Sequence, residues 1–136
     1  MDFQAMFDTI STAARDTRKN YHLTLDGLGA IIEALEDKTI PVVVDYNKFV
    51  GVNSLDSYRG YYEDLALEPT SHPITAEQLY VKLKQAHGAT FTGYKGGEFK
   101  MDGDTPLWVA EYGNTGRAAI DAKVVDGRLV IQTKEV

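Results

Sequence analysis

Two stretches rich in β-forming residues, 118–125 and 128–133, flank the dipeptide Asp126-Gly127 near the C-terminus. A two-residue hairpin loop of type I′ needs positive φ at both central positions. Asp-Gly accepts this at little cost, because glycine has no Cβ and aspartate tolerates the left-handed region. The dipeptide therefore predicts a terminal antiparallel hairpin over 118–134. Upstream, helical patterns come first and short strands cluster later, unlike the regular alternation of a doubly wound parallel sheet. The expected class is α+β, a mainly antiparallel sheet with about three helices on one face. With 136 residues, 43% of them hydrophobic, the chain is the size of one domain, residues 1–136, with enough apolar side chains for a core.

Phe3, Met6, Phe7, Ile10, Ala13 and Ala14 recur at helical spacing, an apolar stripe on a helix over 2–19 that ends in Arg18 and Lys19. This N-terminal amphipathic helix, within residues 1–20, can serve as a docking arm. A second helix is expected from about Leu25 to Glu36, weakened at its start by Gly27 and Gly29. The run Ile40 to Asp45 reads as a buried strand, Asn47 to Asp56 as a loop, and Ser57 to Leu67 as extended chain closed by Pro69. Thr75 and Gln78 make a capping box for a helix over Ala76–His87, stopped by Gly88. Thr90–Tyr94, Gly97–Met101 and Leu107–Tyr112 are short candidate strands.

The formal charge of −6 arises from 20 acidic and 14 basic residues, scattered without long runs of one sign. That pattern offers no basic face for nonspecific nucleic-acid binding. The absence of cysteine excludes disulfides, thiolate metal sites and a cysteine nucleophile. No stretch approaches the roughly 18 apolar residues of a membrane span, and the N-terminus lacks a signal peptide's basic-then-apolar order. The expectation is a cytoplasmic protein without a membrane partner.

Three segments combine aromatic residues, glycine and a cation. In Ser57-Tyr58-Arg59-Gly60-Tyr61-Tyr62, three tyrosines surround one arginine. A guanidinium fork suits phosphate or carboxylate, and tyrosine stacks on a base or on the guanidinium. The plainer alternative is a strand with core tyrosines and an Arg59 paired to Glu63 or Asp64. In Tyr94-Lys95-Gly96-Gly97, next to Gly93, successive N–H groups can form an anion-binding nest with Lys95 as a point charge, or simply a flexible turn. In the third segment a strand carrying Trp108 and Glu111 runs into Gly113-Asn114-Thr115-Gly116-Arg117. Asn114 and Thr115 suit a ribose or phosphate, and are equally ordinary turn residues.

Catalytic signals are thinner. His22, His72 and His87 occupy a helix entry, a proline turn and a helix end, without metal-ligand spacing. The pairs Glu63 with Asp64 and Asp102 with Asp104 could bind a metal or act as acid and base, but solvated turns account for them more simply. No common hydrolase or nucleotide-binding motif occurs, so no catalytic residue, metal or cofactor is assigned.

Through SYRGYYEDLALEP (57–69), FTGYKGGEFKM (91–101) and PLWVAEYGNTGRA (106–118), the chain resembles a family of small bacteriophage- and prophage-encoded proteins with no assigned activity. The resemblance spans roughly Leu25 to Ala118 and implies a phage context without a reaction. By analogy with phage accessory proteins, it suggests counter-defence, in which a small protein binds and hides a nucleotide messenger of bacterial immunity. The expected function is therefore a noncatalytic binder of a small anionic, nucleotide-like ligand, forming a homo-oligomer in the host cytoplasm. Arg59, Lys95 and Arg117 would meet phosphates, while Tyr58, Tyr61, Tyr62 or Trp108 stack on a base. The alternatives are an inhibitor that binds a host defence protein directly and a small nucleotide-processing enzyme.

Overall fold

The computed structural model describes Arg18 and residues 21–45, 51–110 and 116–135. Among them are two helices, α1 (Leu25–Glu33) and α2 (Ala76–Ala86). There are eight strands: β1 (Val42–Val44), β2 (Gly51–Ser57), β3 (Leu65–Thr70), β4 (Thr90–Thr92), β5 (Glu98–Lys100), β6 (Leu107–Val109), β7 (Arg117–Val125) and β8 (Arg128–Lys134). The protein is α+β, with a sheet-rich core. The helix expected over residues 2–19 lies outside the described residues apart from Arg18.

Two helices are described where the sequence suggests about three, and the sheet closes into a six-stranded barrel, a closure not included in the expectation from sequence, in the order β1-β2-β3-β6-β7-β8. Its plan is two antiparallel meanders, β1-β2-β3 and β6-β7-β8, joined by two parallel seams, β3 with β6 and β8 with β1. Closure leaves fewer unpaired edges than an open sheet. The short hairpin β4-β5 stands outside the barrel. No described helix is long and apolar enough to cross a membrane.

Local chemistry explains the elements that the sequence announces. Asp126 and Gly127 have φ of 52° and 74°, as a type I′ turn requires. Thr75 and Gln78 bond reciprocally, closing the capping box of α2. Thr24 caps α1 through the amide of Gly27.

Two expectations fail because pairing overrides local propensity. Residues 51–56, read as loop, belong to β2, which is hydrogen-bonded to β1 on one side and β3 on the other. Of the extended chain read over 57–67, Ser57 ends β2 and residues 65–67 begin β3, with residues 58–64 outside the strands, and β3 continues through Pro69 to Thr70. Pro69 is tolerated because it sits opposite Val52, where a register shift already interrupts the ladder.

Strand alternation sorts the side chains. Leu65, Leu67, Leu107, Val109, Ala119, Leu129 and Ile131 join Leu28 and Ile32 of α1 and Leu79 and Leu83 of α2 in the main core. The intervening Ala66, Trp108 and Ala118 face the other way and form a second, smaller cluster with Tyr58 on the outer wall. That wall carries the candidate site.

Candidate functional site

Trp108 lies between two alanines because of register: it pairs with Ala66 on β3 and Ala118 on β6's other neighbour, β7. The small neighbours leave room for the indole to lie against the barrel. Tyr58 stacks on it nearly parallel, with ring centroids 4.4 Å apart and an interplanar angle of 7°. His22 meets its edge at 4.5 Å. Tyr58 is held on both sides by glycines: a Cβ on Gly60 or Gly116 would come within 2.5 or 2.9 Å of its ring. Its hydroxyl accepts the Gly116 N–H at 3.0 Å. The glycine of the first segment thus makes room for Tyr58 itself, and burial raises the tyrosine's pKa.

Beneath the stack sits Asp64, with no exposed surface. Its Oδ2 accepts the Trp108 indole N–H and the Arg18 Nε–H, both at 2.9 Å, while Oδ1 has no partner among the described residues. Arg18 also bonds Glu63 at 2.7 Å and lies 3.9 Å above the Tyr61 ring. Burial pushes the Asp64 carboxyl above its ordinary value, outweighing the hydrogen bonds from Trp108 and Arg18 that favour the anion. Desolvation likewise lowers the pKa of His22. Asp64 is therefore not the solvated turn residue that the sequence suggests, Glu63 keeps a 41% exposed side chain, and the cation paired with both is Arg18, not Arg59. Distant pairings of this kind leave no local signal in the sequence.

The exposed part of the site is a cleft of about 560 Å³ between the outer wall and the β4-β5 hairpin. Tyr58, Arg59, Tyr94 and Gly116 line it together with Asn53, Ser54 and Asp56 of β2, Glu68 of β3 and Thr92 of β4. The Arg59 guanidinium stacks over the Tyr94 ring at 4.0 Å, joining the first and second sequence segments in space. Such a pair keeps the guanidinium's edge N–H groups for an incoming acceptor. Asn53, Ser54 and Asp56 are not candidates in the sequence, because residues 47–56 carry weak strand preference and read as loop there.

The remaining candidates are placed differently. Trp108 and Tyr58 are buried against each other, so their stacked faces are not open to a base. Tyr61 is 44% exposed, and Tyr62 packs on Phe99, tying the β4-β5 hairpin to the β2-β3 turn. Gly96 and Gly97 have the positive φ of the turn, but the N–H groups of Gly93 and Gly96 bond inside it, to Gly97 and Gly93. Those two N–H groups are thus used within the hairpin end, on which Lys95 is exposed. Arg117 donates to the Thr133 hydroxyl, which donates in turn to Asp45. Neither Lys95 nor Arg117 is among the residues lining the cleft. Glu111, Asn114 and Thr115 lie outside the described residues.

Comparison with family models, with curated proteins and with solved structures finds no match to this chain. The class that fold and site define is an α+β barrel with a polar, aromatic-rimmed cleft on its outer wall.

Proposed function

We propose that this chain binds a small anionic, nucleotide-like ligand without transforming it, in the cleft rimmed by Arg59 and Tyr94. One observation carries the proposal: a guanidinium stacked on an exposed tyrosine, 64% accessible, at a cleft of about 560 Å³. That size lies within the range of small-molecule sites. The stacked pair combines a planar surface for a base with a fork for a phosphate oxygen, and Asn53, Ser54 and Thr92 add hydrogen-bonding groups. The phage resemblance extends the proposal to a counter-defence protein that sequesters a nucleotide immune signal in the host cytoplasm as a homo-oligomer. In this proposal the amphipathic pattern of residues 2–19 supplies the third helix.

Calorimetry against a panel of cyclic and linear nucleotides tests it. Binding should appear in the micromolar range or tighter, and Arg59→Ala should weaken it by roughly ten- to a hundredfold, the worth of a charge-assisted hydrogen bond. No heat with any nucleotide at high micromolar concentration would sink the proposal, and product formation would replace it with the enzymatic reading. A second reading, inhibition of a host protein, draws on the exposure of Tyr61 and Tyr94, since tyrosine and arginine are favoured at interfaces. It predicts a stoichiometric protein partner and no nucleotide affinity.

A further inference from the structure

The barrel is closed, yet β7 outruns its neighbour. It pairs with β8 along nearly its whole length, whereas β6 meets it only at Arg117 and Ala118. The Leu23 N–H takes the Ala119 carbonyl. From Ile120 to Val125 no strand among the described residues pairs with the outer edge of β7. In a hairpin closed by Val125 and Arg128, alternate residues point their backbone groups away from the partner strand, here Ala122 and Val124. The Ala122 N–H accordingly bonds no strand and donates to the Asp121 side chain at 2.8 Å. Ile120, Val124 and Val125 are exposed, and so are the side chains of Asp121 and Lys123.

We infer that this edge pairs antiparallel with the same edge of a second copy of the chain, across a two-fold axis at Ala122. Charge selects the register. About Ala122, Asp121 faces the partner's Lys123 and Lys123 faces the partner's Asp121. Both fall at non-hydrogen-bonded positions, where Cα atoms approach to about 4.5 Å. Centring on Lys123 would oppose two lysines, and centring on Val124 would forfeit both ion pairs. Charges on an edge strand ordinarily discourage association. Opposite charges two residues apart instead make the edge complementary to itself, as an isologous interface must be. In the isolated chain Asp121 occupies the amide that the partner strand would take.

Sedimentation velocity on the full chain tests this. A concentration-dependent dimer that weakens with added salt is expected. Asp121→Lys and Lys123→Asp should each weaken it by about tenfold or more, and the combined reversal should restore it. The chain contains no cysteine, so the register can be read by cross-linking. A mixture of D121C and K123C proteins should oxidise to a dimer, while either protein alone should not. A monomer at every concentration, a dimer indifferent to the single reversals, no rescue by the double reversal, or equal cross-linking of either cysteine variant alone would each overturn the inference.

Discussion

Asp64 is the residue on which the outer wall depends. It receives the only indole N–H of the chain and the Arg18 guanidinium on one oxygen, and the other has no partner among the described residues. An unpaired buried acceptor costs on the order of 1–3 kcal/mol, and burial accordingly raises the carboxyl's pKa. The consequence for stability has a definite sign. Between the ordinary aspartate value and the raised one, the folded state holds the proton more tightly than the unfolded state does, so Asp64 favours folding less as pH rises through that window. Chemical denaturation of the wild type and Asp64→Asn across this range should show their stability difference moving against the wild type with rising pH and levelling off above it. A difference that moves the other way would contradict the assignment of burial as the dominant cause.

At the scale of elements, the two helices offer opposite opportunities. α2 begins with a complete capping box, and Thr75→Ala removes the acceptor for the Gln78 N–H. A loss of about 1 kcal/mol is expected. α1 carries Gly29 in its interior, where an added Cβ would meet nothing within 4 Å. Gly29→Ala should therefore raise stability by about 0.5–1 kcal/mol, because alanine restricts the unfolded chain and fits the helix. Urea denaturation midpoints of the two variants should shift in opposite directions. The β4-β5 hairpin has little barrel pairing of its own. Phe91 and Phe99 pack it against the main core, and the contacts of Tyr62 with Phe99 and of Arg59 with Tyr94 join it to the β2-β3 turn, so the cleft's geometry rests on both.

For the whole molecule, the parallel seam of β8 with β1 makes the barrel one cooperative unit. Val42, Val43 and Val44 pair with Leu129, Val130 and Ile131, and most of these side chains are buried in the common core. Ile131→Ala should cost about 2–5 kcal/mol. Because the seam joins the two meanders, the loss should be felt far from the substitution. Native-state hydrogen exchange should accelerate in β2 and β3 as much as in β7 and β8. Acceleration confined to β7 and β8 would show that the meanders open independently.

Local physics made part of this protein legible from the sequence. Asp126-Gly127 dictated the terminal hairpin through backbone sterics and Thr75 and Gln78 the start of α2 through capping, while of the aromatic and glycine segments Tyr58, Arg59, Tyr94 and Gly116 line the cleft and Lys95 and Arg117 do not. Tertiary pairing decided what no window of neighbouring residues carries. Strand β2 exists because two partners hold residues with weak strand preference. The sheet closes because β8 returns to β1 across most of the chain. Arg59 and Tyr94, 35 positions apart in the sequence, meet because the β4-β5 hairpin packs Phe91 and Phe99 on the main core and Phe99 against Tyr62 of the β2-β3 turn. Asp64 changed from an apparent surface carboxylate into the buried acceptor beneath Trp108, because its partners Arg18 and Trp108 lie more than 40 positions away in either direction. Caps and turns depend on a few adjacent dihedral angles; closure, burial and convergence depend on which distant segments share the same apolar interior.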